Sequence, residues 1–319
     1  MSAAAQFPDE QSEAGEFVRQ DDAFRGWIRA DGSGDYPVEA GRYHLYVSLA
    51  CPWAHRTIIV RTLKGLEDAI GMTIVDPLRD ELGWAFRDVP GASPRDPVNG
   101  FAYLAEAYRA SDPHYHGRVT VPVLWDTRTK RIVSNSDDDI MRMFETELNA
   151  LAERPQLNLY PDPLRGEIDA LNARIYDRLN NGVYKAGFAT SQRAYEHAAR
   201  GVFAILDELD ARLATRRFLF GSRQTESDWR TFVTLIRFDP VYVGHFKCNL
   251  RRIADYPNLS AYLRDLYQTD GVAGTVSFDH IKRHYYMTHD EINPTRIVPI
   301  GPAQDLSEPH GRERLAGEA

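Results

Sequence analysis

The stretch Leu49-Ala50-Cys51-Pro52-Trp53-Ala54-His55-Arg56 constrains this chain more than any other. Before it, Tyr43-His44-Leu45-Tyr46-Val47 alternates as a half-buried strand does. After it, Ile58, Ile59, Leu63 and Leu66 recur at helical spacing, with Gly65 near the end. A cysteine thus stands at a strand-to-helix turn, with proline at the first helical position, where its missing N–H costs nothing. The open N–H groups and positive dipole end of such a helix favour an anion, and with it the thiolate of Cys51. The alternative is a buried free cysteine serving as a small hydrophobe. Because the fourth motif residue is Ala54, the site cannot close its own disulfide. Its resolution needs another thiol, expected to be external.

The rest of the composition narrows the setting. With 319 residues, 43% hydrophobic and 26% charged, the chain suits two ordinary soluble domains. A formal net charge of -8 argues against nucleic acid or an anionic membrane as partner. Two widely spaced cysteines make no disulfide framework, so a reducing cytoplasm is expected. Met1-Ser2-Ala3-Ala4-Ala5-Gln6-Phe7-Pro8 is too short and interrupted for a signal peptide. No run of about eighteen apolar residues offers a membrane span.

In chain order, residues 1–40 read as an N-terminal arm with aromatic anchors at Phe7, Phe17, Phe24 and Trp27. A first domain over 41–152 follows. Its strand and Cys-Pro helix lead to a short strand at Thr73-Ile74-Val75-Asp76, then to an irregular stretch over 77–118. Val121-Pro122-Val123-Leu124-Trp125-Asp126 and Arg131-Ile132-Val133 read as a hairpin, and Ser134-Asn135-Ser136 as the cap of a helix through Ile140, Met143, Phe144 and Leu148. A Pro-rich linker, Glu153 to Pro163, precedes a helical domain over 163–290. Helices are expected near 163–180, 191–214, 225–240 and 256–268, and an extended tail over 291–319. The order resembles the thioredoxin fold, in which a cis-proline at the position of Pro122 faces the Cys-Pro turn. The backbone of Val121 would then pair with a peptide-like thiol as an added strand.

A thioredoxin-like α/β domain followed by an all-α domain is similar to the layout of the glutathione transferases. The motifs sharpen the likeness. Cys51-Pro52-Trp53-Ala54-His55-Arg56, Gly83-Trp84-Ala85-Phe86, Asn180-Asn181-Gly182-Val183-Tyr184-Lys185-Ala186-Gly187-Phe188-Ala189, Phe238-Asp239-Pro240-Val241-Tyr242 with Gly244-His245-Phe246-Lys247-Cys248-Asn249, and His284-Tyr285-Tyr286 resemble the Xi class, the glutathionyl-hydroquinone reductases. The resemblance implies that a second glutathione reduces a glutathionyl-hydroquinone, through a mixed disulfide on Cys51, to hydroquinone and glutathione disulfide. It implies Cys51 as nucleophile, Tyr184 as the group moving the ring proton, and Tyr242 and Tyr285 as hydroxyl donors to the thiolate. Trp84, the backbone of Arg118, Val119, Thr120 and Val121, and Ser136-Asp137 would hold the thiol. A homodimer is implied as well.

Where the family has Glu-Ser at that helix start, this chain has Ser136-Asp137, followed by Asp138 and Asp139. This is either ordinary capping with a rearranged grip on glutathione, or the mark of another low-molecular-weight thiol without a γ-glutamyl end. Asp279, His280, His284, His289 and Asp290 form a conceivable metal cluster without a fixed signature, and no metal is expected. Cys248 beside His245 and Lys247 reads as structural rather than as a resolving thiol. Two other functions share these features: a glutaredoxin-like deglutathionylase, which needs an open site, and a non-catalytic ligand-binding relative, which does not need Cys51.

Overall fold

The computed structural model describes residues 10–315, which divide into two compact units. Phe7 and the Met1 to Pro8 stretch lie outside the described residues, as does the tail beyond 315. One unit comprises Gln20–Leu157 and Gly274–Thr288. The other comprises the described residues through Arg19, Asn158–Ala273, and the described residues from His289 onward. Residues 1–40, which read as one arm, are thus shared between the units.

The first unit is built on a four-stranded sheet. A short parallel pair, β1 (Ile28–Arg29) and β2 (Tyr36–Pro37), precedes β3 (Tyr43–Val47) and α1 (Pro52–Lys64). Then come β4 (Gly71–Ile74), α2 (Ala105–Ser111), β5 (Val123–Asp126), β6 (Arg131–Ser134) and α3 (Asp137–Thr146). The sheet order is β4-β3-β5-β6, with β3 parallel to β4 and antiparallel to β5. This is the thioredoxin-like arrangement expected. Alternation suggests a half-buried β3, yet all five of its residues are buried, because a central strand is covered on both faces. That leaves His44 inside, where its Nε2 meets Thr73 Oγ1 at 2.7 Å. Strand β4 starts two residues before the expected Thr73, because Gly71 pairs with His44 in the β3–β4 register. Gly71 lies against the imidazole ring, and a Cβ there would come within 2.6 Å of His44 Nδ1.

Local chemistry sets the helix ends. Pro52 opens α1, and Gly65, at φ +64°, closes it in the left-handed conformation that glycine reaches freely. Ser136 caps α3 by accepting from Asp139 N. The irregular stretch is organised by buried Asp96, whose carboxylate accepts from the backbone of Val98, Asn99 and Phe101 and from the Tyr46 hydroxyl at 2.9 Å. Lys64 is fully buried at the end of α1 and donates to Asn149 Oδ1 (2.5 Å) and to the carbonyl of Leu157 (3.0 Å), tying down the start of the linker.

The second unit is helical. The span expected at 163–180 is α4 (Arg165–Ile175) prolonged by a π-helical turn over Tyr176–Asn180. A short α5 (Gly182–Gly187) follows, absent from the helices that periodicity predicts. Then come α6 (Gln192–Leu213), α7 (Glu226–Arg237) and α8 (Pro257–Tyr267). Buried Asp228 anchors α7, accepting from Thr225 N (2.7 Å), Leu219 N (2.9 Å) and the Tyr262 hydroxyl (2.6 Å). Beyond α7 the chain widens into a second π-helical turn, Phe238–Tyr242. Pro240 has no N–H to give an α-helix, and Val243 N bonds the carbonyl of Phe238 five residues back. A last helix, α9 (Phe278–Thr288), belongs to the sheet unit although it follows the helical one in sequence.

Burial holds the His44 imidazole neutral, its pKa lowered to about 4, with Asp96 opposing the shift and Arg61 adding to it. The unfolded chain therefore takes up a proton near pH 6.5 that the folded chain refuses until about pH 4. Stability falls as pH drops through that window, by on the order of 3 kcal/mol for this group. Urea unfolding midpoints measured from pH 7 to pH 4 should show a shallower loss in His44→Gln than in the parent.

Candidate active site

Cys51 occupies the N-cap of α1 with extended backbone (φ -77°, ψ 122°), and its carbonyl accepts from His55 N at 3.0 Å. The sulfur is half-buried and donates to the carbonyl of Val121 at 3.4 Å. The Val121–Pro122 peptide bond is cis. The Arg118 to Val121 segment is held by two tyrosines. Tyr115 donates to the Arg118 carbonyl (2.6 Å) and Tyr108 to that of Thr120 (2.9 Å), while Asn135 reaches Thr120 Oγ1 (3.1 Å).

The last two motif residues, His55 and Arg56, fasten α1 to its neighbours. His55, fully buried, meets Thr275 Oγ1 at 2.7 Å through Nε2. Arg56, 1% exposed, pairs with Asp137 and reaches Asp138 at 3.2 Å, its guanidinium lying over the Trp53 ring. Arg25 from the arm forks onto Asp139. Three carboxylates in the first turn of α3 are thus met by the helix dipole and two guanidinium groups. Ser136 caps α3, and Asp137 links that helix to α1.

Trp84 is buried between cation and imidazole. Arg79 lies over its ring at 5.4 Å, and His284 stacks on it at 5.1 Å and 20°. The His284 Nδ1–H donates to the carbonyl of Pro77, and the His280 Nε2–H to that of Pro90, both at 2.7 Å. With His55–Thr275 these bonds fix α9, and with it buried Tyr285, in the unit that carries Cys51. The histidines weighed as metal ligands therefore turn to separate acceptors, and His289 meets His245 at 3.0 Å. Among the described residues no three His, Cys, Asp or Glu side chains are placed to hold a metal.

Tyr184 and Tyr242 lie in the helical unit, ring centroids 6.1 Å apart and both buried. Phe246 stacks on Tyr242 (5.5 Å, 8°) and meets Tyr184 edge-on (5.4 Å). Gly187 makes the room, since a Cβ there would lie 2.1 Å from the Phe246 ring. Cys248 is fully buried in this unit and burial pushes its thiol up to about 12, which makes it an inert packing residue. The sequence reading did not single out Arg56, His55 or Arg19 for a role. Position in the Cys-Pro motif was a signal for the first two, but their partners lie far along the chain.

A half-buried cysteine at a helix N-terminus, facing the carbonyl before a cis-proline, defines a thiol transferase of thioredoxin fold. Family models for the glutathione S-transferase N-terminal domain (residues 50–147) and C-terminal domain (residues 192–265) match the chain. The chain is 53% identical over 312 residues to glutathionyl-hydroquinone reductase YqjG of Escherichia coli K12, covering 96% of this chain and 94% of that protein. The glutathione-bound structure of YqjG aligns with TM-score 0.88, covering 91% of this chain and 96% of that one. A Xi-class transferase from Natrialba magadii aligns with TM-score 0.89 at 50% identity, covering 91% of this chain and 89% of that one. The chain belongs to the glutathionyl-hydroquinone reductase family, the Xi class of the glutathione S-transferases, and is an enzyme of the oxidoreductase type.

Arg56 is buried and Asp137 is 13% exposed, so removing the guanidinium leaves the carboxylates at the start of α3 without their main counter-charge. Arg56→Met should lower stability by about 2–4 kcal/mol, and adding Asp137→Asn should return more than half of the loss. Urea denaturation of the parent, Arg56→Met, Asp137→Asn and the double variant reads this coupling directly.

Proposed function

We propose that the chain reduces glutathionyl-hydroquinones with a second glutathione, giving hydroquinone and glutathione disulfide. The observation that carries this reading is the single-thiol site. Cys51 caps a helix, Ala54 stands where a resolving cysteine would be, and Cys248 is buried in the other unit. In the first step the Cys51 thiolate attacks the sulfur of the conjugate. An S–S bond forms, the sulfur–aryl carbon bond breaks, and its electron pair stays on the ring carbon, which takes a proton. In the second step the glutathione thiolate displaces Cys51 from the mixed disulfide, and the proton it gave up restores the acid.

The magnitudes say where help is needed. Lowering a thiol pKa from about 8.5 to about 6 raises the thiolate fraction at neutral pH roughly 30-fold. Nucleophilicity falls meanwhile by about 10-fold, so the net gain is only a few-fold. The carbon leaving group is the larger obstacle, and a positioned acid contributes about 10²–10⁴-fold. Tyr184 takes that role in this reading, while Tyr242 and Tyr285 donate hydroxyl hydrogen bonds to the sulfur. Trp84, the Arg118, Val119, Thr120 and Val121 backbone, and Ser136-Asp137 hold glutathione. No helix among the described residues is long and apolar enough to cross a membrane. The reading further places the enzyme in the reducing cytoplasm as a homodimer, as family membership and the absence of a cysteine framework suggest.

Cys51→Ala should abolish thioether reduction while the fold persists by circular dichroism, and activity above a few per cent of the parent would overturn the nucleophile. Tyr184→Phe should slow thioether reduction by about 10²-fold or more, yet leave reduction of a small glutathione mixed disulfide near the parent rate. A thiolate leaves sulfur without needing that proton. Steady-state assays of both substrates at saturating glutathione separate this role from one in binding.

A further inference from the structure

The arm does more than lay anchors on the body. Residues 10–19 close on themselves: Ser12 N bonds the Glu16 carbonyl (2.9 Å), Val18 N bonds that of Glu10 (2.7 Å), and Gln11 bridges Phe17 antiparallel. This small hairpin is fastened to the segment after α5. Thr190 N bonds the Gly15 carbonyl (3.1 Å), Ser191 Oγ that of Ala14 (2.9 Å), and Gln11 Nε2 that of Phe188 (3.0 Å). Phe17, 3% exposed, packs on the Phe188 ring at 5.5 Å. Gly15, at φ +79°, is needed at the tip, where a Cβ would sit 2.7 Å from Thr190 Oγ1.

The hairpin delivers Arg19. Its Nε donates to Asn181 Oδ1 at 3.0 Å, and its guanidinium carbon lies 5.1 Å from the centre of the Tyr184 ring and 5.3 Å from that of Phe17. Immobilising so flexible a side chain costs conformational entropy, which two independent holds on one guanidinium offset. Lys185, one residue beyond Tyr184, is turned to Asp177 instead (2.5 Å). Tyr242 is a titratable ring beside Tyr184 within this unit.

We propose that Arg19 is a positioning residue for proton donation by Tyr184, its charge held on the ring face to favour the phenolate that donation leaves behind. The proposal rests on Tyr184 as the proton donor. A cation is drawn weakly to a neutral phenol through the ring quadrupole, and more strongly to a phenolate bearing a full charge. The gain therefore grows as the sulfur–carbon bond breaks and the hydroxyl proton moves to the ring carbon. An interaction that strengthens only along this path raises kcat and leaves substrate affinity alone.

Arg19→Met and Arg19→Lys, each in the parent and in Tyr184→Phe, test this with a glutathionyl-hydroquinone and a small glutathione mixed disulfide at saturating glutathione. Arg19→Met should lower kcat on the thioether by about 3- to 30-fold, the order of a partly screened charge–charge contact, with KM and the disulfide rate unchanged. Arg19→Lys, which keeps the charge, should recover most of that loss. In Tyr184→Phe, Arg19→Met should add nothing, since no phenolate forms. Equal losses on both substrates, or a loss that persists in Tyr184→Phe, would assign Arg19 to folding or binding and overturn the proposal. So would an unchanged Arg19→Met beside a slow Tyr184→Phe. If Tyr184→Phe is itself as fast as the parent on the thioether, the donor reading fails first, and this proposal with it.

Discussion

Helix α1 must present one sulfur while burying almost everything else, and the thiol-bearing unit is arranged around that requirement. Eleven of its thirteen residues are buried, among them His55, Arg56, Arg61 and Lys64. Polar groups taken from water are costly unless paired, so each reaches out to a different part of the unit. His55 bonds Thr275 ahead of α9, Arg56 pairs with α3, Arg61 donates to the carbonyl of Ile70 before β4, and Lys64 holds the linker. The pairs that make this burial tolerable also fix the neighbours of Cys51. A substitution in the motif thus acts on geometry as well as on chemistry.

The parts legible in the sequence are those in which a residue acts on its own backbone. Pro52 and Gly65 bound α1, and Ser136 caps α3. Each is a local effect of ring, missing side chain or short hydroxyl. Periodicity failed where an element's surroundings decide its exposure. Alternation makes β3 half-buried, but its central place in the sheet buries all five residues. The short α5 and the helix α9 escaped for a related reason. Six residues of α5 are too few for a periodic stripe, and five of the eleven in α9 are charged or histidine, which tells little about a helix held by hydrogen bonds to carbonyls about two hundred residues away. The π-helical turns at Tyr176–Asn180 and Phe238–Tyr242 were likewise unreadable, though Pro240 supplied a reason for the second.

The histidines show how the same residue type divides between roles. A backbone carbonyl can only accept, so the bonds to Pro77 and Pro90 require an N–H at His284 Nδ1 and His280 Nε2. Sequence proximity of His280, His284 and His289 to Asp279 and Asp290 suggested a shared ligand. The structure instead gives each ring its own acceptor or donor. His245, buried against His289, has its pKa lowered to about 4 by desolvation, with Lys247 adding to the shift. Spacing on a helix face is a statement about direction, whereas ligation needs convergence on one point.

The division of the chain into two units acquires a chemical meaning on the proposed assignment. By chain order α9 would continue the helical unit, yet two histidine bonds and the Trp84 stack bind it to the irregular stretch of the sheet unit. Tyr285 is thereby tied to the same rigid frame as Cys51. A hydroxyl that steadies a thiolate must keep its distance within a few tenths of an ångström, since hydrogen bonds weaken steeply when stretched. Tyr184 and Tyr242 stand in the aromatic cluster of the helical unit, organised by Gly187, Phe246 and the arm. Proton donation to a departing carbon is needed only when an aryl group leaves, and disulfide exchange on Cys51 proceeds without it. On that assignment sulfur chemistry sits on the sheet unit, while the carbon-specific step is carried by residues that the sheet unit does not supply. On this argument, the helical unit is what turns a general thiol exchanger into an enzyme for thioethers.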